Sequence, residues 1–351
     1  MKVLYLTKYS RNGASSRLRS YQYFPFLEAK GISIVVRPFF DEDYLLHLYS
    51  GKRIAKRKLI LFYLRRFFVL FSIYKYDKIV IEKELFPYFF SWFEKILWLL
   101  QVHYIVDYDD AIFHNYDLSN SKLIFFLLKN KIDNVMKYSG CVVAGNDYLV
   151  ERAKNSSANK IVMIPTVIDV TAYKEQNKRA NSKVIIGWIG SPSTFKYVKK
   201  YSFVFYKILQ NKNVELHIVG ATEDLGLGVN VKYLKWTEES EVALISNFDI
   251  GIMPLENTPW ELGKCAYKLI QYMGCGIPVV ASAVGMNKVV VDEGINGFLV
   301  RAEEEWVGKL NQLIGDSSLR KQLGKMGRKK VELQFSLQGN CTKVLSVLSN
   351  D

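Results

Sequence analysis

The sequence predicts an α/β protein made of two similar units in tandem, each with a parallel sheet covered by helices. Three observations lead to this prediction. Short apolar runs rich in Val, Ile and Tyr alternate with longer helical patterns, a polar stretch at residues 171–182 interrupts this alternation, and the alternation then restarts. Strands that alternate with crossover helices form parallel sheets buried on both faces.

Each half of the chain contains six predicted strands. The first six are Val3–Leu6, Ile32–Val36, Lys78–Ile81, Tyr104–Val106, Cys141–Ala144 and Ile161–Ile164. The second six are Val184–Ile189, Val214–Val219, Val231–Leu234, Ile250–Met253, Val279–Ala281 and Phe298–Val300. A length of 351 residues also favours two domains. We expect an N-terminal domain over 1–170, a linker over 171–182 and a C-terminal domain over 183–335, with residues 336–351 returning to the first domain.

The composition excludes several classes of protein. The four cysteines have no metal-ligand spacing, so we expect neither structural zinc nor a disulfide framework, and a reducing cytoplasm fits best. Residues 1–7 lack the apolar stretch of a signal peptide. No segment reaches the roughly 18 uninterrupted apolar residues of a membrane span. We therefore expect a cytoplasmic protein, soluble or peripheral to a membrane.

The net charge of +14 implies an anionic partner. Nucleic acid, an anionic membrane surface and phosphorylated substrates are the candidates. No known nucleic-acid motif is present, so nucleic acid is not the expected partner.

The segment Lys52–Trp98 combines basic and aromatic residues. Aromatic side chains run through it from Phe62 to Trp98, after a basic cluster of Lys52, Arg53, Lys56, Arg57 and Lys58. This combination suits a helix lying on an anionic bilayer, where each basic residue contributes about 1 kcal/mol. We expect peripheral attachment to the inner face of the membrane. The alternative is that the aromatic residues are core and the basic residues coat the outside.

The densest signal in the second half is Gly263–Ser282. A helix can begin at Gly263, and glycines at 274 and 276 followed by Pro278 end it before the next strand. In such a helix Lys264, Lys268 and Gln271 would share one face. Two lysines near a helix N-terminus make a diphosphate site that needs no metal. A solvated basic face on a surface helix is the alternative.

A second signal, Gly187–Thr194, follows the first strand of the second unit. Glycine at this point lets the backbone approach a ligand closely, and Ser191 and Thr194 offer hydroxyl groups. In open α/β sheets, ligands bind at the carboxyl ends of strands. An ordinary turn followed by a helix cap would give the same pattern.

The stretch Gly263–Ser282 resembles the signature of glycosyltransferase family 4, a retaining family with the GT-B fold. The usual form is Glu-Ala-Met-Ala-x-Gly-x-Pro-Val-Val-Ala, and residues 271–281 here read Gln-Tyr-Met-Gly-Cys-Gly-Ile-Pro-Val-Val-Ala. Further agreement comes from Gly187–Thr194, Asp249–Leu255, Asp292–Val300, Ala144–Leu149 and Ile164–Asp169.

This resemblance implies two Rossmann-like domains whose parallel sheets face each other across a cleft. It implies an enzyme that transfers a sugar, with retention of configuration, from a nucleotide-diphosphate sugar to a glycan acceptor. We expect a lipid-linked or membrane-proximal acceptor, as in surface polysaccharide biosynthesis. GT-B enzymes generally need no metal, so we expect no cofactor.

The resemblance also assigns roles on the donor side. Gly190 and Ser191 would face the diphosphate, Lys268 would neutralise it as the main catalytic group, and Gln271 would hold the ribose. Trp236 would pack near the base, unless it is an ordinary half-buried tryptophan.

The chain departs from the family at both signature glutamates. The family carries two glutamates seven residues apart, and here Gly263 and Gln271 stand at those positions. The carbonyl oxygen of Gln271 can still accept hydrogen bonds from ribose hydroxyls. Gly263 offers only backbone, so Glu261 or Glu256 would have to replace the first contact.

The first half offers acceptor-side candidates. Gly13, Arg17 and Arg19 follow the first strand, and their pattern is too poor in glycine for a dinucleotide fingerprint. The arginines either reach a phosphate in the cleft or are exposed helix residues.

Three carboxylates follow a later strand, at Asp107, Asp109 and Asp110. Like charges repel unless they are hydrated or paired, so one of them, Asp109 or Asp110 in particular, could orient the acceptor hydroxyl or take its proton. A helix cap or a salt bridge to Arg17 or Arg19 is the alternative. His114 is a further cleft candidate.

Two other functions fit the same sequence. One is a sugar-nucleotide epimerase or phosphorylase on the same fold. The other is a non-catalytic basic scaffold on membranes or nucleic acid, which would bind no nucleotide sugar.

Overall fold

A computed structural model describes residues 1–49, 54–174, 183–221 and 223–349. Contacts divide the chain into two units. The first comprises Met1–Thr166, Gly263–Cys265 and the residues from Asn340 onward, and the second comprises Val167–Leu262 and Ala266–Gly339.

The structure describes only the first part of the expected linker. Residues 175–182 lie outside the described part of the chain. Tyr173 is buried in the core of the second unit, so this end of the expected linker belongs to that unit.

The first unit is built on a six-stranded parallel sheet. Its strands are β1 (Lys2–Leu6), β2 (Ser33–Val36), β3 (Lys78–Glu82), β4 (Tyr104–Tyr108), β5 (Cys141–Ala144) and β6 (Ile161–Met163), in the order β2-β1-β3-β4-β5-β6. Its helices are α1 (Ala14–Arg19), α2 (Phe24–Ala29), α3 (Glu42–Tyr49), α4 (Lys56–Leu70), α5 (Trp92–Leu99), α6 (His114–Asp117), α7 (Lys122–Leu128), α8 (Lys131–Lys137) and α9 (Asp147–Asn155).

The second unit has a parallel sheet of the same size. Its strands are β7 (Val184–Ile189), β8 (Val214–Val219), β9 (Val231–Leu234), β10 (Ile250–Met253), β11 (Val279–Ser282) and β12 (Gly297–Val300), in the order β12-β11-β10-β7-β8-β9. Its helices are α10 (Phe195–Lys200), α11 (Ser202–Ile208), α12 (Glu241–Ser246), α13 (Pro259–Leu262), α14 (Tyr267–Gly274), α15 (Asn287–Val290), α16 (Glu303–Gly315) and α17 (Ser317–Gln334). The last helix, α18 (Leu337–Ser349), starts in this unit and continues into the first.

All twelve predicted strands form, and each end lies within two residues of its predicted position. Strands covered on both faces need near-continuous apolar sequence, and this is why they could be recognised. Among the described residues, no helix combines the length and the apolar character that a membrane crossing requires.

The strand orders locate the ligand-binding edge of each sheet. In the second sheet, the order in which successive strands are added reverses between β7 and β10, which is the switch point of a Rossmann fold. In the first sheet, the strand order reverses between β1 and β3. Ligands bind outside the carboxyl ends of the strands at such points.

Candidate functional site

In the second unit, Gly190 and Lys268 meet around one indole ring. A Cβ on Gly190 would lie 2.5 Å from the ring of Trp188, and the ammonium of Lys268 lies 5.5 Å from a ring centroid of the same side chain. The hydroxyl of Tyr272 accepts a hydrogen bond from the N–H of Ile189 at 3.0 Å, which holds α14 beside the end of β7. The structure therefore brings these two predicted donor-binding residues together at the switch point of the sheet.

The prediction that this helix begins at Gly263 is wrong. Helix α14 begins at Tyr267, after Ala266 in a left-handed conformation with φ of 53°. The preceding residues are held in the first unit, where Asn146 donates to the carbonyl of Gly263 at 2.9 Å and the thiol of Cys265 donates to the carbonyl of Asp109 at 3.0 Å. These contacts keep the segment out of the helix.

Lys264 consequently does not share a helix face with Lys268. It belongs to the first unit, and its ammonium lies 3.5 Å from a carboxylate oxygen of Asp110. Of the two lysines, only Lys268 is on the first turn of α14.

Ser191 and Thr194 form a short 3-10 turn after β7. The hydroxyl of Thr194 donates to the carbonyl of Ser191 at 3.0 Å, and the two Ser hydroxyls of the turn, on Ser191 and Ser193, lie 2.9 Å apart. Thr194 thus closes the turn, while Ser191 stays partly exposed beside Gly190.

Gln271 is buried in a chain of hydrogen bonds. Its side-chain N–H donates to the hydroxyl of Tyr173 at 2.9 Å, and that hydroxyl donates to Glu241 at 2.6 Å. The other oxygen of Glu241 accepts from the indole N–H of Trp236 at 2.8 Å. Trp236 is therefore linked to Gln271 through two polar side chains, which the sequence did not indicate.

Glu261 and Glu256, the two candidates for the missing glutamate, are already engaged. Glu261 is buried and accepts hydrogen bonds from Tyr197 and Thr258. Glu256 pairs with Lys200 at 2.6 Å, and the hydrogen bond from Lys200 lowers the pKa of its carboxyl.

Sequence reasoning missed Gly220 at the end of β8. Its φ is 85°, and a Cβ there would collide with the carbonyl oxygen of Gly190. Only glycine allows this close approach, in which the backbone after β8 packs against the carbonyl of Gly190 in the loop after β7. The available signal was a glycine directly after the strand Val214–Val219.

In the first unit, Arg19 and Asp107 are paired with each other. The guanidinium of Arg19 makes two hydrogen bonds to the carboxylate, at 2.9 and 2.6 Å, and both side chains are buried. Arg17 is buried on the same helix. Gly13 lies against the ring of Tyr9, where a Cβ would come within 2.8 Å of Cγ.

Asp109 belongs to a polar cluster at the switch point between β1 and β3. One oxygen lies 2.8 Å from the ammonium of Lys83, and the other accepts from the hydroxyl of Ser15 at 2.5 Å. Burial alone would raise the pKa of Asp109, but the charge and hydrogen bond of Lys83 outweigh it and lower the pKa to about 2. Asp109 is therefore ionised at neutral pH.

Lys83 and its neighbour Glu82 were not predicted. Lys83 follows β3 with a φ of 69°. Glu82 accepts from the hydroxyl of Ser16 at 2.5 Å, and its other oxygen lies 3.0 Å from the hydroxyl of Ser15. Burial raises the pKa of Glu82. The signal was present, because charged residues directly follow the strand Lys78–Ile81 just as Asp107 follows the next one.

Both ring nitrogens of His114 are engaged. Nδ1 lies 2.7 Å from Asp117 and Nε2 lies 2.9 Å from the hydroxyl of Tyr148. The ring is thus held by its neighbours on α6 and α9.

The basic and aromatic segment divides into core and surface. Phe62 and Phe86 are core, as the alternative interpretation held. Others remain exposed on or near α4 and α5, at Phe68, Phe71, Tyr74, Trp92 and Trp98.

The basic cluster is likewise divided. Lys52 and Arg53 lie outside the described residues. Lys58 pairs with Asp41 and Asp43 at 3.3 and 3.0 Å, so its charge is partly neutralised. Lys56 and Arg57 are exposed.

Two Rossmann-like units with these strand orders form the GT-B fold, as predicted. The chain resembles HepE from Anabaena in its complex with UDP, with a TM-score of 0.76 and 15% identity over the whole of both chains. At this identity the likeness shows the fold alone.

Residues 169–330 match the family model described as glycosyl transferases group 1.

Two curated relatives extend the comparison. The capsular polysaccharide biosynthesis glycosyltransferase CapM of Staphylococcus aureus is 28% identical over 192 residues, covering 52% of this chain and 50% of CapM. Spore coat protein SA of Bacillus subtilis is 26% identical over 145 residues, covering 40% of this chain and 36% of that protein. The matches thus span half or less of the length of these relatives.

Proposed function

We propose that the protein is a retaining glycosyltransferase that transfers a sugar from a nucleotide-diphosphate sugar to a glycan acceptor in polysaccharide biosynthesis. The observation that carries this proposal is the meeting of Gly190 and Lys268 around Trp188 at the switch point of the second sheet. The match to the group 1 family model and the relative CapM support the reaction and its setting. The UDP bound in the HepE structure supports a nucleoside diphosphate as ligand.

The chemistry follows from charge at the start of α14. Lys268 is on the first turn of this helix, where free backbone N–H groups and the helix dipole also favour an anion. These groups stabilise the diphosphate as the bond from the anomeric carbon to its oxygen breaks. The acceptor oxygen bonds to the same face of that carbon, and its proton passes to the departing diphosphate.

The first unit contributes orientation of the acceptor in this proposal. A carboxylate whose pKa is about 2 is a weak proton acceptor at neutral pH, so Asp109 is poorly suited to act as the base. Asp109 and Lys83 instead present fixed charges that hydrogen-bond an acceptor hydroxyl. The leaving diphosphate remains the group that takes the proton.

Replacement of one lysine tests the donor site. K268A should weaken binding of the preferred nucleotide sugar and lower transfer by at least about a hundredfold, the effect of losing one preorganised charged group. K207A is the control, because Lys207 is an exposed lysine of the same unit that also lies over an aromatic ring, that of Phe203. Calorimetric titration with UDP-, GDP- and ADP-sugars measures binding. Near-normal transfer by K268A would remove Lys268 from the mechanism.

We also propose that the first unit attaches peripherally to an anionic membrane surface, where a lipid-linked acceptor would be found. The exposed rings of Phe68 and Phe71 lie next to each other, with centroids 6.4 Å apart, and the exposed side chains of Lys56 and Arg57 are on the same helix as Phe68. Aromatic rings enter the interface of a bilayer while basic side chains are attracted to anionic headgroups.

Vesicle sedimentation tests this attachment. The protein should sediment with phosphatidylglycerol vesicles and much less with phosphatidylcholine vesicles, and F68S/F71S should lower the bound fraction. The control is F203S, which changes an exposed phenylalanine of the second unit. Equal binding of F68S/F71S and F203S would contradict the assignment of this surface.

A further inference from the structure

The hydrogen-bond chain around Gln271 has a fixed direction. An indole N–H can only donate, so the oxygen of Glu241 that faces Trp236 must accept. The second oxygen of Glu241 accepts the proton of the Tyr173 hydroxyl at 2.6 Å. The hydroxyl oxygen then has only lone pairs to offer to Gln271, at 2.9 Å.

This direction determines how the amide of Gln271 is turned. Its N–H must point to Tyr173, so its carbonyl oxygen points the other way, and no hydrogen bond to that oxygen is formed by the part of the chain that the structure describes. Burial raises the pKa of Tyr173 well above its usual value, and the nearby Tyr267 and Glu241 add smaller effects in the same direction. The hydroxyl therefore keeps its proton.

We infer that Tyr173 and Glu241 are positioning residues that turn the carbonyl oxygen of Gln271 toward the ribose hydroxyls of the donor. This inference rests on the proposed function, and it gives a role to the glutamine that stands where the family signature has glutamate. The three side chains have exposed fractions of 6%, 8% and 2%, so water cannot readily replace a lost partner.

Replacing Gln271 with the glutamate of the family signature should therefore weaken donor binding and lower the stability of this protein. In Q271E, two carboxylates would face the single proton of Tyr173, and one of them would be left buried without a donor. In E241Q, the new amide would donate to Tyr173, and Tyr173 would then donate to the carbonyl oxygen of Gln271 after that amide rotates by about 180°. The N–H of Gln271, not its carbonyl oxygen, would then face the ribose.

Exchanging the amide and the carboxylate between positions 241 and 271 should restore a complete set of hydrogen bonds. In E241Q/Q271E, the amide at 241 accepts from Trp236 and donates to Tyr173, and Tyr173 donates to the carboxylate at 271. Every donor again has an acceptor, and a carboxylate oxygen is left for the ribose. The direction of the hydrogen bonds through Tyr173 is reversed.

Two measurements on wild type, both single variants and the double variant test this inference. Affinity for UDP, GDP and ADP is measured by calorimetric titration. Each single variant should bind the preferred diphosphate about tenfold more weakly, Q271E because one buried carboxylate is left unsatisfied and E241Q because the acceptor that faces the ribose is replaced by a donor. The double variant should recover most of the loss. Q210E is the control for an added charge, because Gln210 is exposed in the same unit.

The melting temperature without nucleotide separates this inference from the proposed function. Q271E should melt at a lower temperature, and E241Q and the double variant should melt near wild type, whichever ligand the protein binds. If wild type binds no diphosphate, the proposed function fails while this thermal cycle still reports on the hydrogen-bond chain. The inference is overturned if Q271E binds as tightly as wild type, or if the double variant binds no better than the weaker single variant.

Discussion

The ammonium of Lys83 lies 2.8 Å from a carboxylate oxygen of Asp109, and the exposed fractions of the two side chains are 5% and 14%. Burial lowers the pKa of Lys83, but the nearby charges of Asp109, Asp110 and Glu82 outweigh it and raise the pKa above its usual value. Lys83 therefore holds several carboxylates together at one end of the first sheet.

We predict that K83M is more damaging than D109N. Without the ammonium, Asp109 and Glu82 face each other as carboxylates, and breaking a buried pair in this way costs about 3 kcal/mol of unfolding free energy. D109N should cost less, because Lys83 keeps its attraction to the remaining carboxylates. Urea unfolding at pH 7 measures both variants, and a larger loss in D109N would contradict the prediction.

The buried carboxyl of Glu94 gives a prediction for pH dependence. Burial raises its pKa to about 7. One oxygen accepts from the N–H of Leu85, while the other is buried and has no hydrogen-bond partner among the described residues. Because the pKa is higher in the folded state than the unfolded value of 4.5, Glu94 costs stability as the pH rises from about 4.5 to about 7. E94Q should remove this loss.

At pH 8 we therefore expect E94Q to be more stable than wild type by about 3 kcal/mol, the equivalent of a pKa shift of that size. At pH 4.5 the difference should nearly disappear. Unfolding curves at the two pH values provide the measurement. A stability difference that does not change with pH would show that Glu94 titrates normally in the folded protein.

Gly263 has no room for a side chain. A Cβ there would lie 2.7 Å from the backbone nitrogen of Ala111. G263A should destabilise the protein by about 2 kcal/mol, as overpacking does, and G263E should be worse. G308A, within α16 and in open space, is the matched control and should be neutral or slightly stabilising. Thermal melts would contradict this account if G263A and G308A behaved alike.

The sequence predicted the strands of both sheets, because strands depend on local pattern. Apolar runs marked the strands, and the glycines at 274 and 276 correctly marked the end of α14. The sequence also predicted that Gly190 and Lys268 lie in the same region, because both follow strands that end at the same edge of the sheet.

The errors arose where distant contacts decide the backbone. Nothing near Gly263 in the sequence shows that Asn146 holds its carbonyl, so the local pattern predicts a helix that begins too early and includes Lys264. The pairing of Arg19 with Asp107 spans 88 residues, and the sequence left it as one of several alternatives.

Neither unit is a continuous stretch of the chain, because Gly263–Cys265 and the residues from Asn340 onward group with the first. A chimera made by a single crossover near residue 170 would thus combine one parent's first sheet with the other parent's closing helix. Exchange of the complete second unit between relatives would require several coordinated junctions. Point substitution on a fixed backbone is the simpler route to a change in that unit.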